Sequence, residues 1–393
     1  MNMNNKNWVS VWGNAVSIAE HHPEAYAKYI TLRYPVYIPF AGDTLRFTFD
    51  NYCGSEAVTV TRATVSAATS PVYEKMPLAC PCKKETICDI TFSKNESVTM
   101  EAHQTAVSDP VSFPVKKGMT LTVSLYFADF TLMQSAVLVT GPLSKGFFSL
   151  GDQTHADALP MDTTKTTNWF YFLSNIELMT AEENHTVICY GDSITAGAWP
   201  DYLTLLARQN PDNHTAFIRR ATSGSRVLRQ YECITYDSYG LKGTNRFPHE
   251  IPTTGADTVI IQQGINDIIH PVGIETNPFR PMSDLPTAKE LIDGYRYYIE
   301  EAKKLHLKVY MGTLLPIFGW RTYTTFRDDL RNELNAWIRS AKEIDGCIDF
   351  DLALRGSENP SAFREGFDSG DHLHPSSKAY QAMAECAYEV LQR

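Results

Sequence analysis

The feature that most constrains the fold of this chain is a change in the spacing of its apolar residues near residue 186. Beyond that point, five short apolar runs alternate with stretches in which apolar residues recur at helical spacing. The runs are TVICYGDS, TAFIRRATSG, DTVIIQQGIND, KVYMGTLLP and CIDFDLAL. Alternating helices and almost fully apolar strands are typical of a buried parallel sheet with helices on both faces. We therefore predict a three-layer α/β/α domain with a five-stranded parallel sheet.

Three segments of this half carry the helical pattern, namely residues 287–305, 323–343 and 376–392. The residues that share one face are Leu291, Ile292, Tyr295, Ile299 and Ala302 in the first segment, Phe326, Leu330, Leu334, Trp337, Ile338 and Ala341 in the second, and Ala379, Met383, Ala387 and Val390 in the third. A single apolar stripe is what a helix needs to cover one side of a sheet. These three segments are therefore predicted to be the principal helices of the domain.

The first 140 residues have a strand-like pattern instead. Runs rich in Val, Thr, Tyr and Phe are punctuated by Gly, Pro, Asn or Asp, and they lie at residues 31–40, 44–50, 57–65 and 121–127. Short strands at regular spacing, with no helical segment between them, are typical of a β-sandwich. Residues 141–180 are predicted to be a long connection that ends in a strand. We expect a jelly-roll-like β-sandwich with its linker at 1–180 and the α/β domain at 181–393, since a chain of 393 residues is long enough for two cores.

Charge and composition argue against several kinds of partner. The chain has 35 Lys and Arg against 45 Asp and Glu, which gives a net charge of -10. With no basic cluster to offset this charge, neither nucleic acid nor an anionic membrane is an expected partner.

No uncharged apolar stretch approaches the about 18 residues that a spanning helix requires. The first residues, MNMNNKNWVS, lack the apolar segment of a secretory signal, so we expect a cytoplasmic protein, with His21 and His22 in a solvated loop.

The eight cysteines are too thinly spread for a disulfide scaffold, and we expect them to be reduced. Cys80, Cys82 and Cys88 form the single cluster. Three thiols could hold zinc, but a fourth ligand at the spacing of a metal site is missing, so this reading is disfavoured.

Polar residues follow the apolar runs at the sheet edge where open parallel sheets bind ligands. Ser193, Gly224 and Asn266 follow the first three runs, and Asp371 and His374 precede the last helix. Acyl transfer requires a nucleophile, a base, a group that orients the base, and donors for the developing oxyanion. Ser193 would be the nucleophile, His374 its base and Asp371 the orienting carboxylate. The backbone N–H groups of Ser193 and Gly224 and the side-chain amide of Asn266 would form the oxyanion hole.

Each of these residues, taken alone, also has a purely structural explanation. A serine before a helix is commonly its N-cap, a glycine commonly marks a turn, and an asparagine commonly forms an Asx turn. His372 is a second candidate for the base. A metal site made of Asp368, Asp371, His372 and His374 is also conceivable, although it is disfavoured against a triad. The combination of all the residues along one sheet edge is what favours catalysis.

These motifs resemble those of the SGNH (GDSL-type) hydrolases, in the subgroup with an N-terminal β-sandwich. The matching blocks are Gly-Asp-Ser-Ile-Thr-x-Gly at 191–197, Gly224, Gly-x-Asn-Asp at 264–267 and Asp-x-x-His-Pro at 371–375, and the first half is similar in WVSVWGNAVS, TLRYPVYI and VSDPVSFPVKKG. The resemblance implies a flavodoxin-like catalytic domain with Ser193, His374 and Asp371 as the triad. It also implies that Ser193, Gly224 and Asn266 form the oxyanion hole.

The chain departs from this resemblance at one place. Relatives often have a longer segment before the Trp-Pro pair that opens the first helix, whereas here Ala198 alone separates Gly197 from Trp199 and Pro200. A short loop favours an open, shallow mouth over a deep lipid tunnel.

The resemblance implies a serine esterase that acts through an acyl-enzyme. The leading substrate is a small acyl ester, above all an O-acetyl group on carbohydrate, so the expected partner is a small-molecule or oligosaccharide ester. No cofactor is expected, because the oxyanion hole supplies the electrophilic stabilisation that a metal would otherwise provide. An acyltransferase on the same triad and a carbohydrate-binding protein acting through the β-sandwich are the alternatives. The sandwich could also form an oligomer interface.

Overall fold

A computed structural model describes residues 6–19 and 25–392 of the chain. Residues 1–5, at the start of the segment MNMNNKNWVS, lie outside the described residues. The predicted loop at His21 and His22 lies outside them as well. The chain forms two compact units. One contains the described residues up to Thr186 together with Pro211–Ile218, and the other contains Val187–Asn210 and the described residues from Arg219 onward.

The first unit is made of strands, most of them antiparallel. Their bounds are β1 Lys6–Gly13, β2 Ser17–Ile18, β3 Tyr26–Ala27, β4 Ile30–Ile38, β5 Gly42–Asp50, β6 Val58–Val60, β7 Arg62–Ala67, β8 Cys88–Ile90, β9 Val98–Met100, β10 Thr105–Val107, β11 Val111–Val115, β12 Met119–Phe127, β13 Thr131–Leu132, β14 Ser135–Leu138, β15 Gly146–Leu150, β16 Lys165–Thr167, β17 Trp169–Tyr171 and β18 Leu173–Ala181. One sheet has the order β1-β18-β5-β10, with β11 also paired to β5, and a larger sheet has the order β16-β15-β4-β12-β7-β8. The prediction of an all-β first half is confirmed.

Strand β5 illustrates why this sequence forms sheets. Leu45, Phe47 and Phe49 are buried, and the residues between them are more exposed, which is the two-residue period of a strand with one face in the core. Strand β12 is buried along almost its whole length, because it lies between β4 and β7 in the middle of its sheet.

The prediction for residues 141–180 is wrong in part. The segment does end in a strand, β18, but it also contains β15, β16 and β17. Strand β15 pairs with β4, and Phe147 within it is completely buried. The glycine, proline and threonine residues of this segment resemble a linker in sequence, whereas partners more than 100 positions away provide the pairing that makes it a sheet edge.

The second unit contains the predicted five-stranded parallel sheet, in the order β20-β19-β21-β22-β23. Its strands are β19 His185–Gly191, β20 Thr215–Ala221, β21 Ala256–Gln262, β22 Lys308–Gly312 and β23 Gly346–Ile348. Its helices are α1 Ser193–Ala196, α2 Trp199–Arg208, α3 Gly243–Glu250, α4 Ile265–Ile269, α5 Ala288–Lys304, α6 Thr325–Ser340, α7 Phe350–Leu354 and α8 Ser377–Leu391. This strand order places the topological switch point between β19 and β21, where α/β sheets of this kind bind their ligands.

Helices α5, α6 and α8 occupy the three predicted helical segments, but the buried face of α6 differs from the predicted one. Phe326 is 48% exposed, whereas Arg331 is 1% exposed. The Arg331 guanidinium donates to Asp328 and to Asp351, at 2.8 Å each. A buried ion-pair network of this kind is invisible to a pattern that counts apolar residues alone.

The fifth apolar run is only partly a strand. Strand β23 ends at Ile348, and the rest of the run forms α7, because the Asp349 side chain accepts the N–H of Leu352 and caps the helix at 3.1 Å. No helix in residues 6–19 and 25–392 is long and apolar enough to cross a membrane.

Candidate active site

Ser193 is the first residue of α1 and follows the end of β19 directly. The helix begins there because the Asp192 carboxylate accepts the N–H of Ile194 at 3.0 Å. The Ser193 hydroxyl lies 2.9 Å from Nε2 of His374, and Nδ1 of the same ring lies 2.6 Å from the Asp371 carboxylate. Two residues from one loop are thereby joined to a serine 181 positions away, in the order carboxylate, imidazole, hydroxyl.

Asp371 is tied into its own loop as well as to the imidazole. One carboxylate oxygen accepts the backbone N–H of Leu373 at 3.0 Å and that of His374 at 2.8 Å. Partial burial opposes ionisation, but the hydrogen bonds from the His374 ring and from these two N–H groups outweigh it and hold the pKa of Asp371 at about 2. The Asp371 carboxylate is therefore charged at any pH well above 2.

The same loop contains a second pair of this kind. Nδ1 of His372 lies 2.5 Å from the Asp368 carboxylate, and the His372 side chain is 51% exposed. His372 has a φ of 63°, in the left-handed region, whereas φ is not positive at Asp371 or His374. The structure thus brings His374 to Ser193 and pairs His372, the alternative base, with Asp368.

Asn266 and Gly224 lie beside each other on the buried side of the site. Asn266, in the first turn of α4, is 2% exposed and donates one amide N–H to the Ser225 carbonyl at 3.1 Å. An amide has two N–H groups, so a second donor is available there. Gly224 has a φ of 77°, and a Cβ at this position would lie 2.2 Å from the ring of Tyr239. The backbone conformation and the close approach of that ring both require glycine.

The N–H of Ser193 opens α1 and has no acceptor within the helix. The structure therefore gathers the predicted donors on the ends of three adjacent strands. Ser193 follows β19, Gly224 follows β20 and Asn266 follows β21. The partial positive charge of a helix N-terminus favours negative charge at the same place.

Arg246 of α3 fixes two of these strand ends relative to each other. Its guanidinium donates to the Gly191 carbonyl at 3.0 Å and to the Ser225 hydroxyl at 3.2 Å. The side chain is 2% exposed, and Glu250 balances its charge at 3.2 Å. Gln263 donates to the same Ser225 hydroxyl at 2.6 Å. A fully buried cation and an amide therefore hold the Gly224 loop against the end of β19.

Asp267 supports the loop from the other side. Its carboxylate accepts the backbone N–H of Val227 at 2.8 Å and that of Leu228 at 3.0 Å. Burial raises its pKa to about 6 although both hydrogen bonds favour the charged form. Burial likewise raises the pKa of Asp192 to about 7. Two carboxyl groups next to the site thus have pKa values close to neutral pH.

Sequence reasoning missed most of this supporting frame. Asp267 belongs to the Gly-x-Asn-Asp motif, and Gln262 and Gln263 end an otherwise apolar strand, so the sequence does carry a signal for these residues. Arg246 has no such signal, because one arginine in a helical stretch is most often at the surface.

The short connection between Gly197 and Trp199 places the tryptophan side chain away from the candidate triad. Trp199 is fully buried, and its indole N–H donates to the Thr195 hydroxyl at 3.3 Å. The indole therefore packs beneath α1 and does not line the site. The side chains of His374 and Asp371 are 33% and 42% exposed, so one side of the candidate triad faces solvent.

Among the described residues, no three His, Cys, Asp or Glu side chains lie close enough together to hold a metal ion. All eight cysteines fall within those residues, and none of them forms a disulfide there. Burial raises the pKa of the Cys80 thiol to about 12, which disfavours the thiolate that zinc would bind.

Comparison with known proteins identifies a family for the second half of the chain. Residues 189–382 match the GDSL-like lipase/acylhydrolase family. Comparison with the curated proteins found no match. Among solved structures, the chain is similar to a GDSL-like lipase from Bacteroides thetaiotaomicron (19% identity, 54% of this chain and 90% of that chain, TM-score 0.40). It is also similar to a member of the lipolytic G-D-S-L family from Veillonella parvula (18%, 53% and 99%, TM-score 0.36) and to a catalytic mutant of an acetylxylan esterase from Geobacillus stearothermophilus (16%, 52% and 93%, TM-score 0.39).

Residues 189–382 are therefore a GDSL-like lipase/acylhydrolase domain, preceded in this chain by an antiparallel β region. The resemblance inferred from the four sequence blocks is confirmed. Membership of this family implies hydrolase activity for this domain.

Proposed function

We propose that the protein is a serine esterase that removes small acyl groups, above all acetyl groups, from carbohydrate through an acyl-enzyme. The observation that carries the proposal is the unbroken chain of hydrogen bonds from Asp371 through His374 to Ser193, beside Asn266. The base reaches the nucleophile at 2.9 Å, which is within the distance needed for direct proton transfer.

Each proton in the reaction has a place to go. As the Ser193 oxygen bonds to the ester carbonyl carbon, its proton passes to Nε2 of His374, and the carbonyl oxygen becomes an oxyanion. The N–H groups of Ser193 and Gly224 and the free amide N–H of Asn266 stabilise that charge. His374 then protonates the departing alcohol, which leaves Ser193 acylated. A water molecule repeats the sequence and releases the acid and the free serine.

The preference for a bulky alcohol rests on the exposure of the base. His374 must lie next to the leaving oxygen to protonate it, and its side chain is 33% exposed. The alcohol is therefore placed on the solvent side, where an oligosaccharide has room. A cytoplasmic location is part of the proposal, and in that compartment the substrate would be an oligosaccharide small enough to be imported.

The test combines labelling with a substrate panel. A fluorophosphonate should modify Ser193 and no other serine, as read by peptide mass spectrometry, and His374→Gln should abolish the labelling. Acetylated xylo-, manno- and glucosaccharides, together with p-nitrophenyl esters of increasing acyl length, should show the fastest release of acetate from a sugar. Labelling at a different serine, or no release from any ester, would overturn the proposal.

The same panel distinguishes hydrolysis from acyl transfer. With glycerol, glucose or a xylo-oligosaccharide added as acceptor, free acetate should remain the dominant product. A dominant acylated acceptor would instead identify a transferase that uses the same residues.

A further inference from the structure

We propose that Tyr239 is the residue that limits the length of the acyl group, by forming the wall of the acyl-binding space next to the oxyanion hole. This inference rests on the proposed esterase function and adds a specificity-determining residue that none of the four sequence motifs contains. It is carried by the contact of Tyr239 with Gly224 and by the way the ring is held in place.

The Tyr239 ring lies directly against the backbone of an oxyanion-hole residue. The three atoms nearest to a Cβ placed on Gly224 all belong to this ring, at 2.2, 2.3 and 2.6 Å. The ring is therefore in contact with the glycine Cα, one bond from the N–H that faces the developing oxyanion. A carbonyl group held by that N–H has its substituents within a few ångström of the ring.

His270 fixes the orientation of the ring. The two rings are stacked, with centroids 5.2 Å apart and planes inclined by 25°. His270 immediately follows α4, one turn after Asn266, and its backbone N–H donates to the Asn266 carbonyl at 3.1 Å. Tyr239 thus contacts one oxyanion residue directly and is supported by a residue attached to the other.

The environment of His270 also points to a ligand. It is 6% exposed, and its Nδ1 has no hydrogen-bond partner within the part of the chain that the structure describes. A buried polar atom without a partner is unfavourable unless water or a bound molecule satisfies it. The ring that carries this unsatisfied atom is the one that stacks against Tyr239.

The geometry of the reaction assigns this wall to the acyl side of the ester. The tetrahedral carbon carries the Ser193 oxygen, the oxyanion, the leaving alcohol and the acyl group. The alcohol must face His374, on the solvent side, and the oxyanion must face Gly224 and Asn266. The acyl group takes the remaining direction, towards the aromatic cluster that begins at Tyr239. A rigid ring at that distance admits a methyl group and obstructs a longer chain.

The experiment compares kcat/KM for p-nitrophenyl acetate, butyrate and hexanoate in the wild type and in three variants. Tyr239→Ala should raise the butyrate-to-acetate ratio by about tenfold, because each newly buried methylene favours binding roughly three- to fourfold. Tyr239→Phe, which keeps the ring, should leave the ratio within about twofold of wild type. A ratio within one variant is informative even if removal of the ring loosens the Gly224 loop and slows all esters.

Tyr236→Ala is the matched control. Tyr236 belongs to the same aromatic cluster, 5.5 Å from Tyr239 by ring centroids, but its hydroxyl accepts the Asn277 amide N–H at 2.7 Å on a different loop. It should leave the ratio unchanged. An equal shift in Tyr236→Ala, or an unchanged ratio in Tyr239→Ala, would overturn the inference while leaving the esterase proposal intact. A wild type without activity on any ester would instead overturn the proposed function.

Discussion

The two sides of the candidate site are built in opposite ways. The side that carries Ser193, Gly224 and Asn266 lies on strand ends that buried hydrogen bonds fix, with Arg246 2% exposed at its centre. The side that carries Asp371 and His374 is the loop between α7 and α8, and the side chains of His374 and Asp371 are 33% and 42% exposed. One side is positioned by the tertiary core, and the other mainly by hydrogen bonds within its own loop.

This difference indicates what each side of the candidate site would contribute to the reaction. Stabilising an oxyanion depends on donors that are already in place and do not reorganise during the reaction, and burial provides this. Moving a proton and releasing an alcohol needs a group that substrate and solvent can both reach. Substitutions on the buried side should therefore have larger effects than equally conservative substitutions in the exposed loop.

The largest effect is expected for Ser193→Ala. Loss of the hydroxyl that lies 2.9 Å from Nε2 of His374 should lower kcat by roughly 10³-fold or more, and the remaining rate would come from the oxyanion donors. Alanine is compatible with the first position of a helix, so the melting temperature should change little. A variant that keeps one-tenth of the wild-type rate in an ester assay would show that the nucleophile lies elsewhere.

Asn266→Ala tests the buried side without touching the nucleophile. The amide acts on charge that exists only in the transition state, so kcat should fall roughly 10²–10³-fold while KM changes far less. Steady-state kinetics with acetyl esters separates the two constants. An effect confined to KM would make Asn266 a substrate-binding residue and would weaken the contrast between the two sides.

The exposed loop offers a matched pair of substitutions. Asp371→Asn should slow turnover roughly 10²-fold, less than the about 10⁴-fold seen where the triad carboxylate is fully buried, because solvent screens an exposed charge. Asp368→Asn alters the neighbouring Asp–His pair, which does not reach Ser193, and should leave kcat within about twofold. If the two variants lose activity equally, the loop contributes through its shape, and the ionic contact of Asp371 with His374 is unimportant.

The pH profile sharpens this comparison. The pKa of Asp371, about 2, lies below that of an unfolded aspartate, so the charged carboxylate stabilises the fold above about pH 4, and this contribution is lost as the pH falls towards 2. An acid limb of activity above pH 4 must therefore come from a group other than Asp371. Measuring kcat against pH in the wild type and in Asp368→Asn should give the same limb.

The smallest expected effect is a change in protein stability, and it comes from Asp192 on the buried side. Asp192 has a folded pKa of about 7, above the unfolded value of about 4, so the folded protein keeps a proton that the unfolded chain has lost. The free energy of unfolding should therefore fall as the pH rises from about 4 to 7. Asp192→Asn cannot ionise and should reduce this fall by about 1 kcal/mol or more in urea titrations at several pH values. An identical slope in both proteins would mean that Asp192 is charged throughout.

The sequence was sufficient to predict the type of each half and to single out the candidate residues that the structure brings together at Ser193. Each catalytic candidate stands directly after a strand or before a helix, where local pattern and chemistry coincide, and parallel strands necessarily bring such positions to one edge. The same reasoning failed on the buried face of α6, where Arg331 and Asp328 replace apolar residues. It also failed on β15, whose partner lies more than 100 positions away.

The sequence by itself determined which groups are available for chemistry and the alternation that orders them along the sheet. Only the tertiary structure decided which histidine meets Ser193, since His372 and His374 differ by two positions and both pair with an aspartate. It also decided that Arg246 holds the Gly224 loop and that Tyr239 lies on Gly224. The physical reason is that these contacts join segments far apart in the chain, and their geometry depends on how the whole core packs, which no local pattern of residues encodes.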